Sequence, residues 1–170
     1  MQHAAAPVFW RLRYGGGGVS RPEEVLAELG LSVPDVVPPV AAYIPAVRSG
    51  NHVFTSGQLP MKDGALLSVG KVGGDVSAED GYAAAQQCAL NALAAVKAEL
   101  GDLSQVKRVV KVLCFVASTP DFTGQPGVAN GASELLGKVF GDAGRHARSA
   151  VGVPVLPLDA PVEVEIVVEI

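Results

Sequence analysis

Two side chains near the C-terminus, Arg148 and Glu163, are of types that could build a small-molecule site. A guanidinium offers a planar fork of donors that matches a carboxylate. A carboxylate nearby can hold a water or carry a proton. Both residues lie in segments that read as strands, Arg145 to Val153 and Val162 to Ile170. In the second, Val162, Val164 and Ile166 face one way and Glu163 and Glu165 the other. The proline-rich stretch Pro154 to Pro161 reads as the turn between them, so the two strands are expected to be neighbours. Spacing alone leaves blander readings open. Arg148 could pair across strands with Glu163 or Glu165 as a structural contact, and the glutamates could form a solvated strand face. Tyr43 and Ser56 read by type as packing and turn residues, Asn130 as a helix cap, and His146 as a lone histidine rather than a base.

The chain has 170 residues, enough for one domain, and 49% of them are hydrophobic, enough for a real core. Charged residues make up 18% and the formal net charge is −4, with a pI of about 5.3. That balance argues against a sequence-independent nucleic-acid binder, which shows a basic face. Cys88 and Cys114 each sit in an apolar periodic segment and read as buried thiols. Neither they nor the three scattered histidines have the spacing of a metal site. No apolar run approaches the ~20 residues that span a bilayer, and the N-terminus lacks the pattern of a secretory signal. A cytoplasmic protein is expected.

Residues 1–19 have no clean period and end in the glycine tract Gly15 to Gly18, which predicts a flexible tail. No strand precedes that tract and no Lys-Ser/Thr follows it, so it is not read as a phosphate loop. A single domain is expected over residues 20–170, with a short helix over 20–30 and a core over 35–170. Ser20-Arg-Pro-Glu23 reads as a capping box with a proline in the first turn. Tyr43 to Val47 and His52 to Ser56 read as a hairpin around Arg48-Ser-Gly-Asn51. Residues 61–76 read as a glycine-rich loop with short strand pieces. Ser77 is the N-cap of a long helix with an apolar stripe through Ala85, Ala89, Leu93 and Val96, ended by Gly101. Val106 to Ala117 is a strand with Val110, Val112, Cys114 and Val116 on one face and Val109, Leu113 and Phe115 on the other. A second helix is expected from about Val128 to Phe140. The order β-β-α-β-α-β-β gives an α+β sandwich with its helices on one face. The central strand is apolar on both faces, so the uncovered face calls for another subunit.

Tyr43-Ile-Pro-Ala-Val, Arg48-Ser-Gly-Asn51, Phe54-Thr-Ser-Gly-Gln-Leu-Pro60 and Gly70-Lys-Val-Gly73 resemble the N-terminal half of the Rid superfamily. These are the reactive intermediate (enamine/imine) deaminases, carried in older naming as endoribonuclease L-PSP or translation initiation inhibitor. Asp121-Phe122, Asn130, Ala147-Arg-Ser149 and Val162-Glu-Val-Glu165 resemble its C-terminal half, so the likeness spans roughly residues 35–170. The resemblance implies a chorismate-mutase-like fold, a sheet backed by two helices, in a homotrimer with clefts between subunits. It implies hydrolysis of 2-imino or enamine acids to 2-keto acids and ammonia, without metal or organic cofactor. Carried over residue by residue, Arg148 binds a substrate carboxylate and Glu163 helps place the hydrolytic water. Tyr43, Ser56, Asn130 and Ala150 line the cleft. Where such deaminases carry Pro-Ala-Arg-Ser-Cys, this chain has His146-Ala-Arg-Ser-Ala150, so Ala150 can offer only its backbone. The N-terminal helix and the insert near residues 118–131 resemble a longer subgroup. Two other functions stand beside deamination: a non-catalytic binder of keto or amino acids using the same arginine, and the ribonuclease of the older family name. The acidic balance and the lack of a basic patch with interleaved aromatics weigh against the ribonuclease.

Overall fold

The computed structural model describes residues 21–36 and 42–170. The expected tail, Ser20 of the capping box and part of the proline-rich connector lie outside them. A short helix, α1 (Pro22–Glu28), comes first, with Glu24 Oε2 accepting from the Arg21 N–H at 3.2 Å. Strands β1 (Ala46–Ser49) and β2 (His52–Thr55) follow as a hairpin, then a small ribbon, β3 (Met61–Lys62) with β4 (Ala65–Leu66). Helix α2 spans Ala78–Leu100, β5 Arg108–Ala117, α3 Gln125–Phe140, β6 Ala147–Val153 and β7 Val162–Glu169. The main sheet runs β1-β2-β7-β5-β6. Every pairing is antiparallel except β5 with β6, the pair that α3 connects as a crossover.

Helix α2 starts where its sequence says it should. Ser77 Oγ accepts from the Asp80 N–H at 3.0 Å, and Glu79 and Asp80 sit where the helix dipole favours negative charge. The helix ends at Gly101. Its buried side mixes small residues, Ala84, Ala85, Cys88, Ala89, Ala92 and Ala95, with Leu90, Leu93 and Val96. Close packing against α3 follows: a Cβ on Gly131 would lie 2.0 Å from the Tyr82 carbonyl oxygen. The core fills the space between the helices and one sheet face, with Val53, Val112, Val116, Val164, Ile166 and Val168 from the sheet. Both cysteines are buried free thiols in this layer. No helix among the described residues is long and apolar enough to cross a membrane.

The opposite sheet face is uncovered in the single chain. Val47, Phe54 and Val151 are 48%, 42% and 46% exposed, and Leu113 and Phe115 lie half-buried between them.

Several sequence expectations need correction. Strands β6 and β7 are not neighbours, because β5 lies between them and pairs with both. The long connection through α3 lets β6 run parallel to β5 on its far side. In β5 the register shifts between Val109 and Lys111, a bulge that adds one residue. Val109 therefore shares the buried face with Val112, while Val110 is only half-buried. The first strand begins at Ala46, leaving Tyr43 in the segment that leads into it, and extends through Ser49. Helix α3 starts at Gln125, three residues before the expected Val128, with Pro126 in its first turn.

Candidate functional site

Arg148 lies on β6, an edge strand of the sheet. Its row continues through Val112 to Ile166, both fully buried against the helices, so its side chain points to the helix side. There α3 receives it. Nη1 donates to Asn130 Oδ1 at 2.8 Å and to Ser133 Oγ at 3.0 Å, and Nη2 donates to the Pro126 carbonyl at 3.2 Å. These bonds use both hydrogens of Nη1 and one of Nη2. The Nε–H and the second Nη2–H have no partner among the described residues. Two of the five guanidinium donors are thus left for a ligand carboxylate. His146 completes the corner, with Nε2 3.0 Å from Ser133 Oγ and Nδ1 2.6 Å from the Gly144 carbonyl. A cavity of about 320 Å³ opens here, lined by Ser133, Gly137, Gly144, Arg145, His146 and Arg148.

Glu163 sits on the other, uncovered face, in the row of Phe115 and Val151. Its pKa is raised, first by partial burial and then by repulsion from Glu165 two residues on. The Ser56-Gly57-Gln58 segment lies over it. Gln58 exchanges backbone hydrogen bonds with Val164, N to O at 2.9 Å and O to N at 3.0 Å, prolonging β2 alongside β7. That brings Gly57 against the carboxylate: a Cβ there would be 1.8 Å from Glu163 Oε1. The Ser56 hydroxyl donates to the Ile44 carbonyl at 2.6 Å, which ties the Tyr43 segment to the same corner. From below, the buried Asn91 of α2 donates to the Leu59 and Met61 carbonyls, both at 2.9 Å, and so pins the loop that leaves this segment.

The chain matches the profile of the family described as "YjgF/chorismate_mutase-like, putative endoribonuclease" over residues 23–170. It belongs to the Rid superfamily. Protein TCP17 of Trypanosoma cruzi is 47% identical over 146 residues, 85% of this chain and 91% of the relative. A 2-iminobutanoate/2-iminopropanoate deaminase of Dermatophagoides farinae is 34% identical over 140 residues, 82% of this chain and 94% of the relative. Among solved structures, the protein Atu1372 of Agrobacterium tumefaciens superposes with a TM-score of 0.82 at 49% identity, over 88% of this chain and 92% of that one. The fold is the α+β, chorismate-mutase-like sandwich of that superfamily, a mixed sheet backed by helices.

In this Rid-family chain the six expected site residues fall into two groups. Arg148 and Asn130 touch, and Ala150 lies on the same side of β6, opposite Cys114 in β5. Asn130 is not a cap. It stands in the second turn of α3, where its side chain accepts from Arg148. Ser56 and Glu163 lie at the other corner, to which the segment carrying Tyr43 is tied through Ile44. The two groups are on opposite faces of the sheet, so Arg148 and Glu163 are neither side by side nor paired to each other; Arg148 bonds to α3 instead. Three residues of this geometry were not singled out from sequence. Ser133 stands at i+3 from Asn130 on one helix face, a spacing that could have found it. Gly57 follows Ser56 directly. Asn91 carries no local signal, because its role depends on where the loop returns to α2.

Proposed function

We propose that the protein hydrolyses 2-imino acids or their enamine tautomers to 2-keto acids and ammonia. The observation that carries this reading is the Arg148 guanidinium, pinned to α3 by three bonds with two of its five N–H donors uncommitted. The relative named as a 2-iminobutanoate/2-iminopropanoate deaminase supports it. The two corners belong to one site when a second copy packs on the uncovered sheet face and brings its Arg148 edge to the first copy's Glu163. The exposed Val47, Phe54 and Val151 favour such burial, and a closed ring of three copies repeats the contact without leaving a free face.

In that cleft Arg148 holds the substrate carboxylate and so sets the distance to the imine carbon. Glu163 takes a proton from water as the oxygen bonds to that carbon and passes it to the imine nitrogen, giving a carbinolamine. Glu163 then takes the hydroxyl proton of the carbinolamine as the carbonyl forms and delivers it to the amino nitrogen as the C–N bond breaks, so that ammonia leaves. No electron changes hands. A carboxylate whose pKa is raised by burial and by Glu165 accepts a proton more readily, which suits this relay. Since imines hydrolyse unaided, positioning and one proton relay supply enough acceleration, general acid–base help being worth roughly 10²–10⁴-fold.

The test is loss of imine. An amino-acid oxidase generates 2-imino acids, semicarbazide traps what remains, and wild type is compared with Arg148→Ala. Faster loss with wild type alone supports the reading. No effect with several imino acids overturns it; keto-acid binding that depends on Arg148 would then identify a non-catalytic binder.

A further inference from the structure

We propose that His146 is a positioning residue for Arg148, acting through the Ser133 hydroxyl to hold the uncommitted guanidinium donors toward a carboxylate. Each hydrogen bond along one chain of four groups has a fixed direction. The Gly144 carbonyl can only accept, so the His146 Nδ1 at 2.6 Å carries its hydrogen. In the neutral ring Nε2 is then an acceptor, and the group 3.0 Å away is the Ser133 hydroxyl, which must donate to it. With that hydrogen committed, Ser133 Oγ presents its lone pairs to Arg148 Nη1 at 3.0 Å, and a guanidinium can only donate. Every link has a single polarity, from Arg148 to Ser133 to His146 to Gly144.

The chain fixes what would otherwise turn freely. A serine hydroxyl on a helix rotates among acceptors, including the carbonyl four residues back. His146 holds this one still. Asn130 Oδ1 takes the other Nη1 hydrogen at 2.8 Å, so the plane of the guanidinium is set by two acceptors on one face of α3. The neutral ring that the chain requires is favoured where His146 sits. Burial pushes its pKa down and the Arg148 charge adds to this, against an opposing contribution from the bond to Gly144.

This inference rests on the reading that Arg148 grips a carboxylate, and the experiment separates the two. The affinity of 2-oxobutanoate is measured by titration calorimetry for wild type, Arg148→Ala, His146→Ala, Ser133→Ala, the Ser133→Ala/His146→Ala double variant and His146→Gln. A hydrogen bond to a charged group sets the scale, so His146→Ala and Ser133→Ala are each expected to weaken binding roughly tenfold. The double variant should be no weaker than either single one, and His146→Gln, whose amide oxygen can accept from Ser133, should recover most of the loss. If Arg148→Ala binds as well as wild type, the reading of Arg148 fails. If Arg148→Ala abolishes binding while the His146 and Ser133 variants bind like wild type, or lose affinity additively, the positioning role fails alone. Nitrogen NMR on the unmutated protein gives a check that no folding defect can obscure. A neutral His146 ring protonated on Nδ1 is expected, and protonation on Nε2 would overturn the proposal.

Discussion

Gly57→Ala should cost activity far out of proportion to stability. The added Cβ would stand 1.8 Å from Glu163 Oε1, 2.7 Å from Cδ and 3.0 Å from Cγ. A carbon and an oxygen need about 3.3 Å, so the carboxylate must withdraw by roughly 1.5 Å. It can do so, because it is the end of a flexible side chain rather than backbone. Gly57 is not among the residues with positive φ, so alanine suits its backbone. The cost in stability is that of an off-rotamer side chain, about 0.5–1.5 kcal/mol, or about 2–5 °C in Tm for a domain of this size. A misplacement of ~1 Å in a reacting group costs about 100-fold in rate, equivalent to about 2.7 kcal/mol of transition-state stabilisation. The assay is the semicarbazide competition described above, run beside thermal melts of both proteins. Activity within about threefold of wild type would refute the placement of Glu163 as the group that handles the water. A fall in Tm beyond about 8 °C would show that the variant acts through unfolding instead.

Glu163→Gln should lose at least ~100-fold in activity yet melt higher than wild type at pH 8. The folded pKa of Glu163 lies above its unfolded value, so its favourable contribution is complete at low pH and is lost as pH rises through the folded pKa. Melts at pH 4 should therefore show the difference between the two proteins shrinking. Reassembling Arg148→Ala chains with Glu163→Gln chains should restore about a quarter of wild-type activity, since a random mixture forms that share of clefts with both groups intact. No recovery would place the site within one chain. Light scattering should give about three chains per particle for wild type and monomers without activity for Phe54→Asp. Gly131→Ala should destabilise by about 1–3 kcal/mol, seen as a lower denaturation midpoint, because its Cβ meets a backbone carbonyl that cannot move aside.

The chain declares its period clearly in some places and hides it in others. Val162 to Ile166 alternates without interruption, and β7 is a strand with those residues buried. Ser77 with Asp80 announces the start of α2, and the bond between them is there. In β5 the alternation breaks at Val110, where an extra residue is absorbed by a bulge that apolar residues on both faces conceal. Consecutive strands pair often enough that β6 and β7 were expected to touch. Nothing local to either strand shows that β5, thirty residues earlier, takes the place between them. The same limit governs the site. Arg148 could be singled out because it lies in the motif Ala147-Arg-Ser149, and Asn130 only by the resemblance as an isolated position. His146 looked idle because its partners, Ser133 and the Gly144 carbonyl, are set by how α3 lands on β6.

The alanine surface of α2 has a consequence for how this protein tolerates change. Its inward side chains, Ala84, Ala85, Ala89, Ala92 and Ala95, have few atoms to lose and no rotamers to freeze, so ordering them is cheap. They let the backbones of the two helices come close, while Leu93, Val96, Leu135 and Leu136 fill the core beside them. Trimming a residue there leaves only a small void, whereas adding a methylene pushes two helices apart along their whole line of contact. Sequence drift at these alanines is therefore one-sided, with small residues tolerated better than larger ones.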